Sequence, residues 1–112
     1  MSLLIRKVED YMTIDLSGQQ KLLTVRLDGE LDHCSAAAVR ESVEEELRKT
    51  GAVNVAFDFS AVTFMDSSGI GLILGRYKTV RGLGGRIILF GMSREIERIM
   101  RMSGIDRIAE IY

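Results

Sequence analysis

One segment constrains this chain more than any other: the run Val53-Asn54-Val55-Ala56-Phe57-Asp58-Phe59, followed after a short polar turn by Phe64-Met65-Asp66-Ser67-Ser68-Gly69-Ile70-Gly71. Apolar residues occupy both parities of the first run, as expected for a central strand covered on both faces. The second run changes period. Ile70, Ile73, Leu74, Tyr77 and Val80 recur at helical spacing to form a buried stripe, and Asp66, Ser67 and Ser68 stand at its start with side chains that accept hydrogen bonds from free helix N–H groups. Strand into capped helix is half of a parallel crossover, and the remainder of the chain supplies the rest.

Met12–Leu16 and Leu22–Leu27 nearly alternate apolar and polar residues around Ser17-Gly18-Gln19-Gln20-Lys21, which reads as two strands and a turn. Asp28-Gly29-Glu30-Leu31-Asp32-His33 breaks that alternation. Ser35 then caps a helix to about Lys49, with Ala36, Val39, Val43 and Leu47 inward, the charges from Arg40 to Lys49 on a wet face, and Thr50-Gly51 as its end. Arg86–Gly91 is a further buried strand, Ser93 caps a third helix with Ile96, Ile99 and Met100 inward, Gly104 ends it, and Ile108–Tyr112 forms a last short strand. Met65, Met92, Met100 and Met102 read as core filling. The expected fold is a single α/β domain over residues 12–112, an antiparallel hairpin followed by parallel strands with helices packed on the sheet. Residues 1–11 are a lead or an extra edge strand.

The chain has 112 residues, enough for one core. It carries 15 basic and 16 acidic side chains, so the basic excess of a nucleic-acid binder is missing. One cysteine, Cys34, allows no internal disulfide, and no Cys/His spacing suggests zinc, so no metal or other cofactor is expected and a reducing, cytoplasmic setting fits. Charges interrupt every apolar run well before membrane-spanning length.

Chemistry concentrates at Asp66-Ser67-Ser68. Gly69, Gly71 and Gly75 follow within the first turns of the helix, where each costs about 1 kcal/mol relative to alanine. Such a sequence gains close backbone approach, either to its own sheet or to a partner. Spacing places Ser68, Gly71, Leu72, Gly75, Arg76 and Thr79 on one face, away from the apolar stripe. A flat outward patch with Leu72 as its large apolar residue is expected, suited to docking a partner that also acts on a hydroxyl.

Asp66-Ser67-Ser68-Gly69-Ile70-Gly71 and Gly29-Glu30-Leu31-Asp32-His33 together resemble two signatures of the anti-sigma factor antagonists, whose domain is known as STAS. The match from Phe64 to Lys78 points to the sporulation branch, and the likeness spans roughly residues 12–109. The resemblance implies a phospho-switched binding protein and no enzyme of its own. Ser67 would be phosphorylated by an ATP-dependent anti-sigma factor kinase, the unphosphorylated form would bind that kinase and release the sigma factor, and a metal-dependent phosphatase would restore it. Glu30, Leu31, Asp32, Asp66, Ser68, Gly69, Gly71, Leu72, Gly75 and Arg76 are the expected partner contacts. Cys34-Ser35 departs from the His-Thr usual in close relatives, residues 1–10 extend beyond the usual start, and relatives often continue past the position of Tyr112 into a further helix.

Two other readings compete. A STAS module of a stress pathway would share fold and serine. A dinucleotide-binding turn would need G-x-G-x-x-G, whereas the glycines stand at 69, 71 and 75 and Leu89-Phe90-Gly91 ends the next strand without an acid. Hydrolase chemistry lacks parts: Ser67 is not in G-x-S-x-G and His33 is the only histidine.

Overall fold

A computed structural model describes residues 4–112. Residues 1–3 of the expected lead lie outside the described residues. The elements run β1 (Ile5–Glu9), β2 (Met12–Asp15), β3 (Leu22–Leu31), α1 (His33–Thr50), β4 (Asn54–Met65), α2 (Ser67–Gly82), β5 (Ile87–Phe90), α3 (Arg94–Met102), a 3-10 turn (Ile105–Arg107) and β6 (Glu110–Ile111).

The strands form one sheet in sequence order, antiparallel through β1, β2 and β3, then parallel through β3, β4, β5 and β6. Parallel neighbours taken in sequence order, with right-handed crossovers, carry every intervening helix to the same face of the sheet. Burial follows that rule: Leu23, Val25, Val55, Phe57, Ile87 and Leu89 are sealed under the helices with Val43, Ile73, Val80, Met100 and Ile105. On the opposite parity Leu22, Thr24, Asn54, Asp58, Ile88 and Phe90 are half-buried. The expectation that the central strand is covered on both faces is therefore corrected. Helices cover one face, and Ala56 is buried on the other between its neighbours on β3 and β5, Thr24 and Ile88.

Both central strands are longer than their alternation suggests. β3 continues through Asp28-Gly29-Glu30 because register shifts between Arg26 and Asp28 and between Gly29 and Glu30 absorb the broken pattern. Gly29 supplies the positive φ of 73° at the second shift. β4 likewise runs to Met65, so no separate turn precedes α2.

Helix ends follow local chemistry with one exchange of roles. Asp32, not Ser35, is the N-cap of α1; Ser35 donates its N–H to Asp32 Oδ1 at 3.0 Å, and its hydroxyl accepts the Asp32 N–H at 2.9 Å. Gly51 ends α1 in the left-handed region and Ser93 caps α3 as expected. On α1, Glu46 is buried and Glu44 is turned inward, so the charged run is not uniformly wet. Met102 is 76% exposed and fills no core.

Before β5, Gly85 packs its Cα against Val53, and a Cβ there would collide with the Val53 carbonyl oxygen. Backbone cannot give way as a side-chain tip can. Gly85→Ala is expected to cost about 2 kcal/mol or more. A chemical-denaturation midpoint equal to that of the parent would show that the loop relaxes freely.

Candidate functional site

Parallel register builds the site. Leu31 of β3 lies opposite Met65 of β4, so the two strands end together and each leads directly into a helix. Asp32 (φ −106°, ψ −172°) and Asp66 (φ −106°, ψ −170°) have nearly the same backbone conformation, and each caps the helix that follows. The Asp66 N–H reaches back to the Leu31 carbonyl at 3.4 Å, tying the two cap residues' neighbourhoods together. Two helix N-termini with their free N–H groups thus emerge side by side at one end of the sheet, a setting that tolerates negative charge.

Asp66 Oδ1 accepts the Ser68 N–H at 2.8 Å. Ser67, the first residue of α2, is exposed, and its hydroxyl has no hydrogen-bond partner among the described residues. Capping is thus performed by Asp66, which leaves the Ser67 hydroxyl available. Glu30 is exposed and Asp32 is half-buried beside it. The Ser35 N–H, and next its hydroxyl, hold the Asp32 carboxyl below its ordinary value.

The structure corrects the expected orientation of α2. Its buried residues are Gly69, Leu72, Ile73, Arg76 and Val80, a stripe rotated by one position from the expected one. Leu72 is 4% exposed and Arg76 7%, both turned toward α1. Leu31 is buried as well. These three side chains hold the site from beneath and offer no apolar or charged surface to a docking partner. The outward leucine is Leu74, 42% exposed, on the same strip as Ser67, Gly71 and Lys78. Sequence reasoning passed over Leu74 because it completed an unbroken apolar stripe. It also missed Phe64, 52% exposed just before the cap.

The glycines separate into two kinds. A Cβ on Gly69 would stand 2.5 Å from Met65 Cγ and Sδ and 3.1 Å from Leu31 Cδ2, so this glycine lets α2 start directly against the sheet. Gly71 and Gly75 meet nothing within 4 Å. Their helix-weakening effect has no return inside the domain.

Arg76 and Glu44 join the two helices. Arg76 Nε lies 2.6 Å from Glu44 Oε1, in ion-pair contact without the alignment of a hydrogen bond, and Thr79 Oγ1 donates to the same oxygen at 3.0 Å. Arg76 Nη1 finds no acceptor among the described residues. Burial pushes the guanidinium below its ordinary value; Glu44 opposes that shift, and the like charge of Arg40 adds to it. Between the first turns of the two helices a cleft of about 310 Å³ opens, small and apolar at Ala36, Ala37, Gly71 and Leu72 and polar at His33, Arg40 and Ser68. Cys34 is exposed on the first turn of α1. Among the described residues no group of three or more His, Cys, Asp or Glu is placed to hold a metal, and no helix is long and apolar enough to cross a membrane.

This sheet order, with its paired helix starts, defines a known class of domain. The chain belongs to the STAS domain family, whose model matches residues 13–112, so β1 precedes the matched region. It is 35% identical over 101 residues to an anti-sigma F factor antagonist of Paenibacillus polymyxa, covering 90% of this chain and 86% of that protein. It is also 35% identical over 83 residues to an anti-sigma-B factor antagonist of Listeria monocytogenes, covering 74% and 72%. Among solved structures, the anti-sigma factor antagonist SpoIIAA in its unphosphorylated form superposes with a TM-score of 0.70 at 25% identity, covering 90% of this chain and 86% of that one. The phosphorylated form of Bacillus SpoIIAA gives 0.68 at 27% identity, covering 90% of each.

Two substitutions separate packing from charge. Glu44→Ala leaves Arg76 buried without its counter-ion and is expected to cost about 3 kcal/mol, whereas Glu44→Ala combined with Arg76→Met should recover most of the loss. Equal destabilisation of both variants in denaturant would refute that account. For Asp32 the folded-state value is lowered, so its contribution to stability is present above the unfolded value near 3.8 and is lost as pH falls through the folded value. Asp32→Asn keeps a cap without titrating. The stability gap between parent and variant should therefore close on acidification below about 3.8, and a gap independent of pH would contradict the hydrogen-bond origin of the shift.

Proposed function

We propose that this protein is an anti-anti-sigma factor. Its unphosphorylated form binds an anti-sigma factor kinase and so frees the sigma factor, and phosphorylation of Ser67 ends that complex. The observation that carries this reading is the Ser67 hydroxyl, exposed and unengaged at the first position of α2 while Asp66 does the capping. Support comes from relatives named as antagonists of anti-sigma factors, and from SpoIIAA having both phosphorylated and unphosphorylated forms.

The chemistry falls to the partner. Ser67 Oγ attacks the terminal phosphorus of ATP held by the kinase; the Oγ–P bond forms, the bond to the bridging oxygen breaks, ADP leaves, and the hydroxyl proton passes to a base on the kinase. A metal-dependent phosphatase reverses the state by adding water across the Oγ–P bond, releasing inorganic phosphate. The antagonist contributes position and surroundings and is not itself a catalyst. It acts without nucleic acid or membrane, in the cytoplasm.

Phosphate adds about −1.5 to −2 charge at neutral pH. The two helix N-termini accept that charge without refolding. A docked partner meets it together with Glu30, Asp32 and Asp66, which cluster at the same ends of β3 and β4. A several-hundred-fold loss of affinity needs only about 3–4 kcal/mol. The docking face is Glu30 and Asp32 from the β3 end with Asp66, Ser68, Gly71, Gly75 and the exposed Leu74 from α2. Gly69, Leu31, Leu72 and Arg76 support that face from within.

Identity does not divide the sporulation branch from the stress branch, since relatives of each reach 35%. The longer alignment and the Phe64–Lys78 match favour the sporulation branch.

Incubation with the cognate kinase and ATP followed by phosphopeptide mapping should find phosphate on Ser67, and modification at Ser68 instead would sink the assignment. Ser67→Ala should bind the kinase and stay bound in the presence of ATP, whereas Ser67→Asp should bind at least tenfold more weakly. Gly71→Ala should stabilise the fold by up to about 1 kcal/mol, because its Cβ meets nothing, yet weaken the complex. Unchanged affinity in isothermal titration would remove close approach as the reason for that glycine.

A further inference from the structure

The sheet has one face without a covering layer. Among the described residues the helices pack on the parity of Leu23, Val55 and Leu89, and no element lies over the other. Strand register sets the uncovered side chains in rows. One row runs Ile5, Asp15, Leu22 and Asn54 from β1 to β4, and Arg86, the residue before β5, continues it. Asp15, Leu22, Asn54 and Arg86 accordingly line one shallow cavity of about 210 Å³. The next row runs Lys7, Thr13, Thr24, Ala56, Ile88 and Glu110 from β1 to β6. On the central strands a last row holds Arg26, Asp58 and Phe90.

Within each row charge reverses sign across the line between β3 and β4. Asp15 on β2 stands as far from that line as Arg86 beside β5. Lys7 on β1 matches Glu110 on β6, and Arg26 on β3 matches Asp58 on β4. No charged residue of these rows is left over. A two-fold axis along the strands, between β3 and β4, exchanges the two halves of the sheet and keeps every row in place. Each charge then falls opposite one of the other sign on a second copy. Small side chains, Thr24 and Ala56, flank the axis, so the two sheets can approach closely. Arg86 and Glu110 already touch at 2.9 Å within the chain, yet their side chains stay 64% and 34% exposed and can take a second partner.

We propose that the uncovered face is a homodimer interface, formed by two copies stacked sheet on sheet about this axis. Asp15 meets Arg86 of the second copy, Arg26 meets its Asp58, and Leu22, Ile88 and Phe90, only half-buried in one chain, complete the contact. Such an axis keeps the strands of the two sheets aligned, the usual geometry of face-to-face packing. Sheet twist draws the outer strands apart, so Lys7 and Glu110 contribute least. At strand spacings of about 4.8 Å the face offers on the order of 500 Å² per copy, at the lower bound for a specific interface. The dimer is therefore weak and depends on concentration. Ser67 lies on the helix side, so each copy keeps its switch surface facing away from the other.

Sedimentation velocity on the full chain, from about 1 μM to about 1 mM, tests the interface. The parent should pass from monomer to dimer within that range, and salt near 0.5 M should weaken the association by screening. Asp15→Arg and Arg86→Glu place like charges opposite each other and should each weaken it at least tenfold. The double variant restores opposite charges and should recover most of the loss, which a merely damaged fold would not do. Leu74→Asp, on the helix side, should change nothing. A parent that stays monomeric throughout overturns the proposal, since the face would then belong to some other partner. So does a double variant as weak as the single ones, or a dimer that only Leu74→Asp disrupts.

Discussion

The parallel ladder between β3 and β4 is the constraint on which the rest of the structure depends. Because Leu31 sits opposite Met65, both strands finish at one level and both following residues are aspartates in the same extended conformation. Antiparallel strands would have sent the two helices off opposite ends of the sheet. Here two N-termini, two capping carboxylates and the Ser67 hydroxyl share one surface because a single pairing register brings them together.

That surface is rigid underneath and open above. Gly69 lets α2 begin in contact with Met65 and Leu31, and the Glu44–Arg76 pair binds α2 to α1 about two turns further along α2. A buried ion pair adds little net stability compared with well-packed apolar residues, but a helix rotated away from it would leave a charge stranded. Arg76 therefore acts on orientation: it keeps one face of α2 against α1 and leaves the Ser67–Gly71–Leu74 strip outside. The glycines on that strip weaken the helix and pack against nothing within the domain, which is consistent with a surface shaped for another molecule.

Much of this was legible in the order of residues. Alternation identified β2 and the start of β3, continuous apolar runs identified β4 and β5, Ser93, Gly51 and Gly104 marked helix boundaries, and the two short signatures pointed to the same family as the fold. The reading failed where a residue's neighbour comes from elsewhere in the chain. On α2 the all-apolar set Ile70, Ile73, Leu74, Tyr77 and Val80 looked like the buried stripe, while the actual one contains a glycine and an arginine. Arg76 carries no local sign of burial, because its counter-ion lies 32 positions earlier, at Glu44. Likewise Asp28-Gly29-Glu30 looked like a break and is strand, because shifts in register against β4 can be seen only with β4 in place.

The sequence by itself determined what depends on a few consecutive residues: that a strand gives way to a helix at Asp66, that Asp66 and Ser93 each satisfy a first free N–H group, and which serine stands just inside the cap of α2. Those outcomes rest on hydrogen bonds that span two or three positions. Tertiary structure alone decided which way α2 faces. A helix lodged between a sheet and a second helix has two surfaces to satisfy, and the closer fit of Gly69, Leu72 and Arg76 against β3, β4 and α1 prevailed over a more hydrophobic stripe. That choice placed Leu74 in solvent beside Ser67 and opened the cleft that Arg40 lines.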